Sequence, residues 1–171
     1  MAILKPQPLT KAAFAPFGDV IETADRDYFL INNDSTQRYH KLASVQLSAV
    51  SDQAIISIFR ARSHAMPLML KMMERHPMGS QAFIPLNANE FLIVVAPAGE
   101  PPNPDQLQAF ITDGSQGINY HTGVWHHPIL SLIDNDEFLV VDRQGEGDNC
   151  DEHFFTADTE IILDPTDVLA Y

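Results

Sequence analysis

Six apolar runs, at residues 55–60, 81–86, 91–96, 107–112, 126–133 and 138–143, set the limits on what this chain can fold into. Each is six to eight residues long and rich in Ile, Val, Leu or Phe. That is the length of a strand and short for a globular helix. Turn residues separate the runs, among them Asn87 and Asn89, Asp113 and Gly114, and Asp134 to Asp136. The 12 prolines fall mostly between runs, and a central strand excludes Pro. The pattern predicts an all-β sandwich, barrel or jelly roll with one or two short helices. Thr10 is placed to cap a helix over 11–15, ended by 16–18, and Pro104 to open a helical turn after Asn103. One segment, 66–75 (MPLMLKMMER), has high helix propensity and stays open between helix and strand. With 171 residues and no linker-like stretch, residues 1–171 read as a single domain.

Charge narrows the function. Lys+Arg 10 against Asp+Glu 23 leaves a formal −13, which repels phosphate backbones and anionic membranes. Partners are therefore expected to exclude nucleic acid and membrane. A small anionic substrate needs a local cluster of cations, imidazoles or backbone N–H groups. The single Cys150 cannot close an intrachain disulfide and points to a reducing compartment. The first eight residues hold no apolar core of a signal peptide, and the longest apolar run, near 91–98, falls short of the ~20 residues of a membrane span. A soluble, cytoplasmic protein is expected.

Chemistry concentrates in two segments. His121, His126 and His127 sit within seven residues, and Glu74 and His76 flank Arg75. In a strand, residues two apart share a face, so Glu74 and His76 point together as carboxylate and imidazole ligands do. Adjacent His126 and His127 point opposite ways, and at most one lines a given cavity. This donor set suits zinc, nickel, iron or manganese. A helix at 66–75 would instead swing Glu74 and His76 about 200° apart and abolish the shared face.

The two segments resemble the paired motifs of the cupin superfamily, small jelly-roll β-barrels with an internal metal site. The first cupin motif, His-x-His followed four or five residues later by Glu, appears as Glu74, His76 and Gln81; the second, Pro-x-Gly-x-x-His, as His121, Gly123 and His126. Carried over by position, the resemblance implies Glu74, His76, Gln81 and His126 as metal ligands, with neutral Gln and an early Glu changing the charge of the usual site. More specifically, the chain resembles the ureidoglycolate lyase family. The matching strings are FGDVIE at 17–22, INN at 31–33, RYH at 38–40, ERHP at 74–77, QAFIP at 81–85, AFIT at 109–112, NYH at 119–121, VWHHP at 124–128, FL at 138–139, DR at 142–143 and DNCD at 148–151. The last twenty residues match nothing and read as a solvated tail. The resemblance implies a cupin-like domain, a homodimer, a divalent metal such as nickel, and splitting of (S)-ureidoglycolate into glyoxylate and urea within allantoin and purine breakdown. The alternatives are a ureidoglycolate amidohydrolase releasing ammonia, or a cupin-type sensor that binds a small organic acid without turnover.

Splitting ureidoglycolate removes a proton from the carbinol hydroxyl and delivers one to the leaving nitrogen. His121, beside the ligand frame and with an intrinsic pKa of ~6.5, is the acid–base candidate; without metal, Glu74 or His76 takes the base role. Arg60 is the first choice for the substrate carboxylate, because it continues the Ile56 and Ile58 face, and an inward apolar face would carry the guanidinium inward. Arg143 is the second choice, with Asp142 facing the other way. Asn32, Arg38 and Tyr39, within the resembling strings, are candidates for the ureido end. Trp125 and the methionines read as packing residues, and Cys150 has no identifiable activating base.

Overall fold

The computed structural model describes residues 2–169, and the chain is all-β apart from short helical pieces. A five-stranded front sheet runs in the order Gly18–Ile21, Gly117–Tyr120, Gln81–Pro85, Asp136–Gln144 and Gln53–Ala61. Opposite it, a back sheet runs Asp151–Phe154, Met72–Arg75, Trp125–His126, Phe91–Ala96, Gln108–Ile111 and Gln7–Pro8, with Leu130–Ser131 also paired to Phe91–Ala96. The two enclose one apolar interior in a cupin-like arrangement. Period-two alternation drives the closure: Phe138 and Val140 turn inward beside Phe83, while Phe91, Ile93 and Val95 meet them from the back sheet. Aromatic rings interlock edge to face there, Phe91 against Phe138 at 5.1 Å and Phe14 against Phe110 at 5.6 Å. Each such pair adds roughly 0.5–1.5 kcal/mol beyond its buried area.

Strand Phe91–Ala96 is buried on both faces, as its uninterrupted apolar run requires. Its second face, Leu92, Val94 and Ala96, packs under a three-stranded cover of Ala2–Leu4, Ile161–Leu163 and Leu68–Met69. Ile161 and Leu163 are fully enclosed in that layer. The expectation of a solvated tail therefore fails, because alternating apolar residues in 161–163 find an open sheet face to cover.

The segment left open resolves as strands Leu68–Met69 and Met72–Arg75. Cross-strand pairing on both edges of Met72–Arg75, to Trp125–His126 and Asp151–Phe154, overrides its helix propensity. The anticipated helix forms over Lys11–Phe14, where Thr10 Oγ1 accepts from Ala13 N at 3.2 Å. Asn103 likewise caps a 3₁₀ turn at Pro104–Gln106. A further short helix, Thr166–Leu169, was not anticipated. Gly18 is required where the front sheet meets this entry: a Cβ there would lie 2.0 Å from the Asn119 carbonyl oxygen.

The face expected to carry Arg60 inward lies outward. Ile56 is 73% exposed and Ile58 60%, while Phe59 and Ser57 face the Phe138 and Val140 side. Counting from Ile56 and Ile58 gave the wrong side because the outer face of this edge strand is itself apolar. A hairpin, Phe29–Ile31 with Thr36–Arg38, forms a separate two-stranded sheet whose Tyr28, Phe29 and Leu30 are exposed. No helix among the described residues is long and apolar enough to cross a membrane.

Candidate active site

Two rows of polar side chains face each other at one end of the interior. On the front sheet, Tyr120 pairs with Gln81, and Gln81 Nε2 donates to Asp142 Oδ2 at 3.3 Å. On the back sheet, His126 pairs with Glu74. The rows touch where Tyr120 stacks on His126, with ring centroids 4.2 Å apart and planes at 11°. Alternation places Glu74 inward and its neighbours outward: Met73 enters the cover layer, and Arg75 lies over Trp125 at 4.6 Å while pairing with Asp151 at 2.8 Å. Gly123, with φ at 77°, turns the chain so that Val124 and His126 re-enter the interior, and its N–H donates to the His76 carbonyl at 2.8 Å.

Backbone carbonyls anchor both imidazole rings. His76 Nδ1–H donates to the Asn149 carbonyl at 2.6 Å, and His126 Nδ1–H to the Val124 carbonyl at 3.1 Å. Burial holds the His126 pKa below its ordinary value, against the pull of Glu74, so the ring is neutral and Nε2 carries a lone pair. That nitrogen, on a side chain 2% exposed, has no hydrogen-bond partner and faces Glu74 Oε1 at 3.4 Å. His76 Nε2 faces Gln81 Oε1 at 3.1 Å, and the Gln81 amide is oriented by its donation to Asp142. The lone pair of His126 Nε2 thus faces a carboxylate oxygen, an arrangement that a cation resolves. Ligand atoms of Glu74, His76 and His126 all lie within 4.8 Å of one another. Backbone carbonyls holding Nδ1–H while Nε2 points inward is the outer-shell support that metal-binding imidazoles use. These residues fit a divalent ion, and Gln81 stands beside them as a neutral oxygen donor.

Other expected site residues lie elsewhere. His121 follows Asn119 to the outer side of the front sheet, where Asp19 Oδ2 receives both Asn119 Nδ2 and His121 Nε2 at 3.1 Å. The pair borders a cleft of about 350 Å³ that also meets Lys11, Arg26, His40 and Lys41. Arg60 is exposed and bonds Glu137 through Nε and Nη2 at 2.9 and 2.7 Å. Arg143 is locked to Asp52 at 2.6 and 2.7 Å and to the Glu146 carbonyl. That guanidinium holds Asp52 down at about 2. Asn32 sits at φ 55° in the hairpin turn, Arg38 lies over Phe29, and Tyr39 donates to Gln37. None of these residues meets the Glu74 cluster. Cys150 Sγ lies 3.9 Å from Glu74 Oε2, and burial together with the Glu74 charge pushes its thiol up, away from nucleophilic thiolate.

Asp142 and Asp19 were missed by sequence reasoning. The parity of Phe138 and Val140 assigns Asp142 to the inner face, whereas nothing local announces Asp19, which meets its partner across a register of 102 residues.

The description of the ureidoglycolate lyase family matches residues 1–162. A Pseudomonas aeruginosa (strain LESB58) protein named ureidoglycolate lyase is 64% identical over 165 residues, covering 96% of this chain and 98% of the relative. Proteins of the same name from Stutzerimonas stutzeri and Azotobacter vinelandii are each 62% identical, covering 98% and 95% of this chain and 99% and 98% of their own lengths. The fold, the inward histidines and these near-full-length matches agree: the chain belongs to the ureidoglycolate lyase family.

Proposed function

We propose that this chain is a ureidoglycolate lyase, splitting ureidoglycolate into glyoxylate and urea, with Glu74, His76, Gln81 and His126 holding a divalent ion. The observation carrying this reading is the orphaned, buried His126 Nε2 aimed at Glu74, in a chain similar throughout to proteins of that name. A divalent ion such as nickel, which Glu74, His76, Gln81 and His126 would hold, would supply Lewis acidity to the substrate. The protein residues do the rest. Tyr120 walls the site by stacking on His126, and burial pushes its phenol up, so it stays protonated. Glu74 Oε2, the oxygen turned from His126 toward Cys150, is placed to take the carbinol proton and return it to the departing nitrogen. His76, clamped by Asn149, keeps that end of the site in register.

A second reading places the reaction in the outer cleft. His121 is then the acid–base residue, Asp19 orients it, and Lys11 and Lys41 receive the carboxylate. The same reading takes in one domain over 1–171, a cytoplasmic place in purine and allantoin breakdown, and a homodimer. The apolar outer face of Gln53–Ala61 and the projecting hairpin are the surfaces that suit a second copy. I56D is expected to turn the dimer into a monomer on light scattering.

Product analysis tests the whole reading. Racemic ureidoglycolate is incubated with enzyme, with nickel or with a chelator, and glyoxylate, urea and ammonia are followed separately. Equal glyoxylate and urea, stopping near half conversion and lost with chelator, is the expected result. Ammonia with glyoxylate would move the assignment to an amidohydrolase, and no product above the spontaneous rate would leave a binding protein.

A further inference from the structure

The interior holds a second inward carboxylate that the metal-ligand set does not use. Asp142 shares the inner face of Asp136–Gln144 with Phe138 and Val140. Its Oδ2 accepts from Gln81 Nε2 at 3.3 Å, while its Oδ1 is buried and has no hydrogen-bond partner. Buried acceptors are rarely left empty in native proteins, and water, an ion or a ligand are the donors that fill them. The neighbouring Arg143 cannot supply it, since that side chain turns to the opposite face and is committed to Asp52. Asn32 and Tyr39, the residues expected at the ureido end, lie in and beside the hairpin.

The geometry points to Asp142 as the residue that receives the ureido end of the substrate, its Oδ1 accepting N–H from the urea group. This rests on the lyase reading above. Ureidoglycolate has two unlike ends. The glycolate end offers only oxygens, which suit the ion held by Glu74, His76 and His126. The ureido end is rich in N–H donors, which a carboxylate, acceptor-only when ionised, complements. Gln81 spans the two, its oxygen toward His76 and its nitrogen toward Asp142, and so sets the distance between the two subsites. A carboxylate there also discriminates: a 2-hydroxy acid lacking the ureido group would leave Oδ1 unpaired, and sites with a stranded buried polar group reject such analogues strongly.

Steady-state kinetics of D142N in the metal-loaded enzyme tests this, with glyoxylate and urea as separate product inhibitors and bound metal measured in parallel. The amide keeps the size of the side chain but substitutes donors for acceptor capacity. The expected result is a KM for ureidoglycolate raised at least about tenfold and urea inhibition weakened by a similar factor, with glyoxylate inhibition and metal stoichiometry unchanged. D142A, which removes the group outright, should give the same split, so misfolding of one variant does not decide the matter. Equal weakening of both inhibitors with loss of metal would mean that Asp142 serves only to orient Gln81, and would overturn the assignment. Wild-type KM and urea inhibition in both variants would overturn it as well. Absence of turnover by the wild-type enzyme would instead overturn the lyase reading itself, and this assignment with it.

Discussion

The interior cluster and the outer cleft each pair imidazole with carboxylate, yet they are built to opposite ends. Around Asp19, every contact runs donor to acceptor: Asn119 and His121 both give to one carboxylate oxygen, and the pair is about one-third exposed. Around Glu74, backbone carbonyls take up the Nδ1–H of both histidines, and the unpartnered His126 Nε2 confronts a carboxylate oxygen. The first arrangement pairs its imidazole with its carboxylate, leaving only Asn119 Oδ1 without a donor. The second leaves His126 Nε2 without a partner in a group that could hold a cation, and burial disfavours protonation of that ring. Similar residues thus make a hydrogen-bonded pair or a ligand frame according to where the backbone sends the proton on Nδ1.

Four substitutions break or sharpen that contrast. H126A should have the largest effect, removing bound metal and lowering turnover by about 10³-fold or more, read by metal analysis and initial rates, since a chelated ion contributes several kcal/mol. Near wild-type turnover would show that the frame is misassigned. E74Q preserves shape but not charge; metal affinity should fall at least about 10–100-fold, the range for losing even an outer-shell partner, in a competition titration with a chromophoric chelator. H121A separates the two readings. With chemistry in the interior, kcat should drop less than tenfold, whereas a loss in the ~10²–10⁴ range of a general acid–base would move the reaction to the cleft. D52N should barely alter turnover at neutral pH and should act on stability instead. Asp52 has its carboxyl held at about 2 by Arg143, below its usual 3.8. Its stabilisation is therefore complete above the usual value and is lost as pH falls toward 2. Acid unfolding followed by circular dichroism should lose that dependence in D52N, while the variant is less stable at neutral pH because Arg143 is left buried and unpaired.

How much of this was legible in the sequence follows from the range of the interactions concerned. Strand character came through at 81–86 and 91–96, because short apolar runs bounded by turn residues are signals that act within a few positions. The shared side of Glu74 and His76 was readable because two-residue spacing fixes a common face once the strand exists, while His126 joins them only across the sheet. What failed was long-range. The helix-prone segment 66–75 took strand form only through neighbours some fifty and eighty residues away. The side of the sheet that Ile56 and Arg60 face depends on which surface of an edge strand is covered, which composition does not state. His121 was grouped with His126 by proximity in sequence, yet the front-sheet alternation that brings Tyr120 inward sends His121 out to Asp19.

The cover layer has a consequence for synthesis. Ala2–Leu4 lies parallel to Ile161–Leu163, so segments about 160 positions apart in the chain are partners in one ladder. Until 161–163 emerge from the ribosome, Leu92, Val94 and Trp125 have no roof on the outer side of the back sheet. The nascent chain thus carries an apolar surface until 161–163 are made and docked. A message truncated shortly before residue 161 would encode every ligand of the metal frame and still yield a sticky, aggregation-prone product.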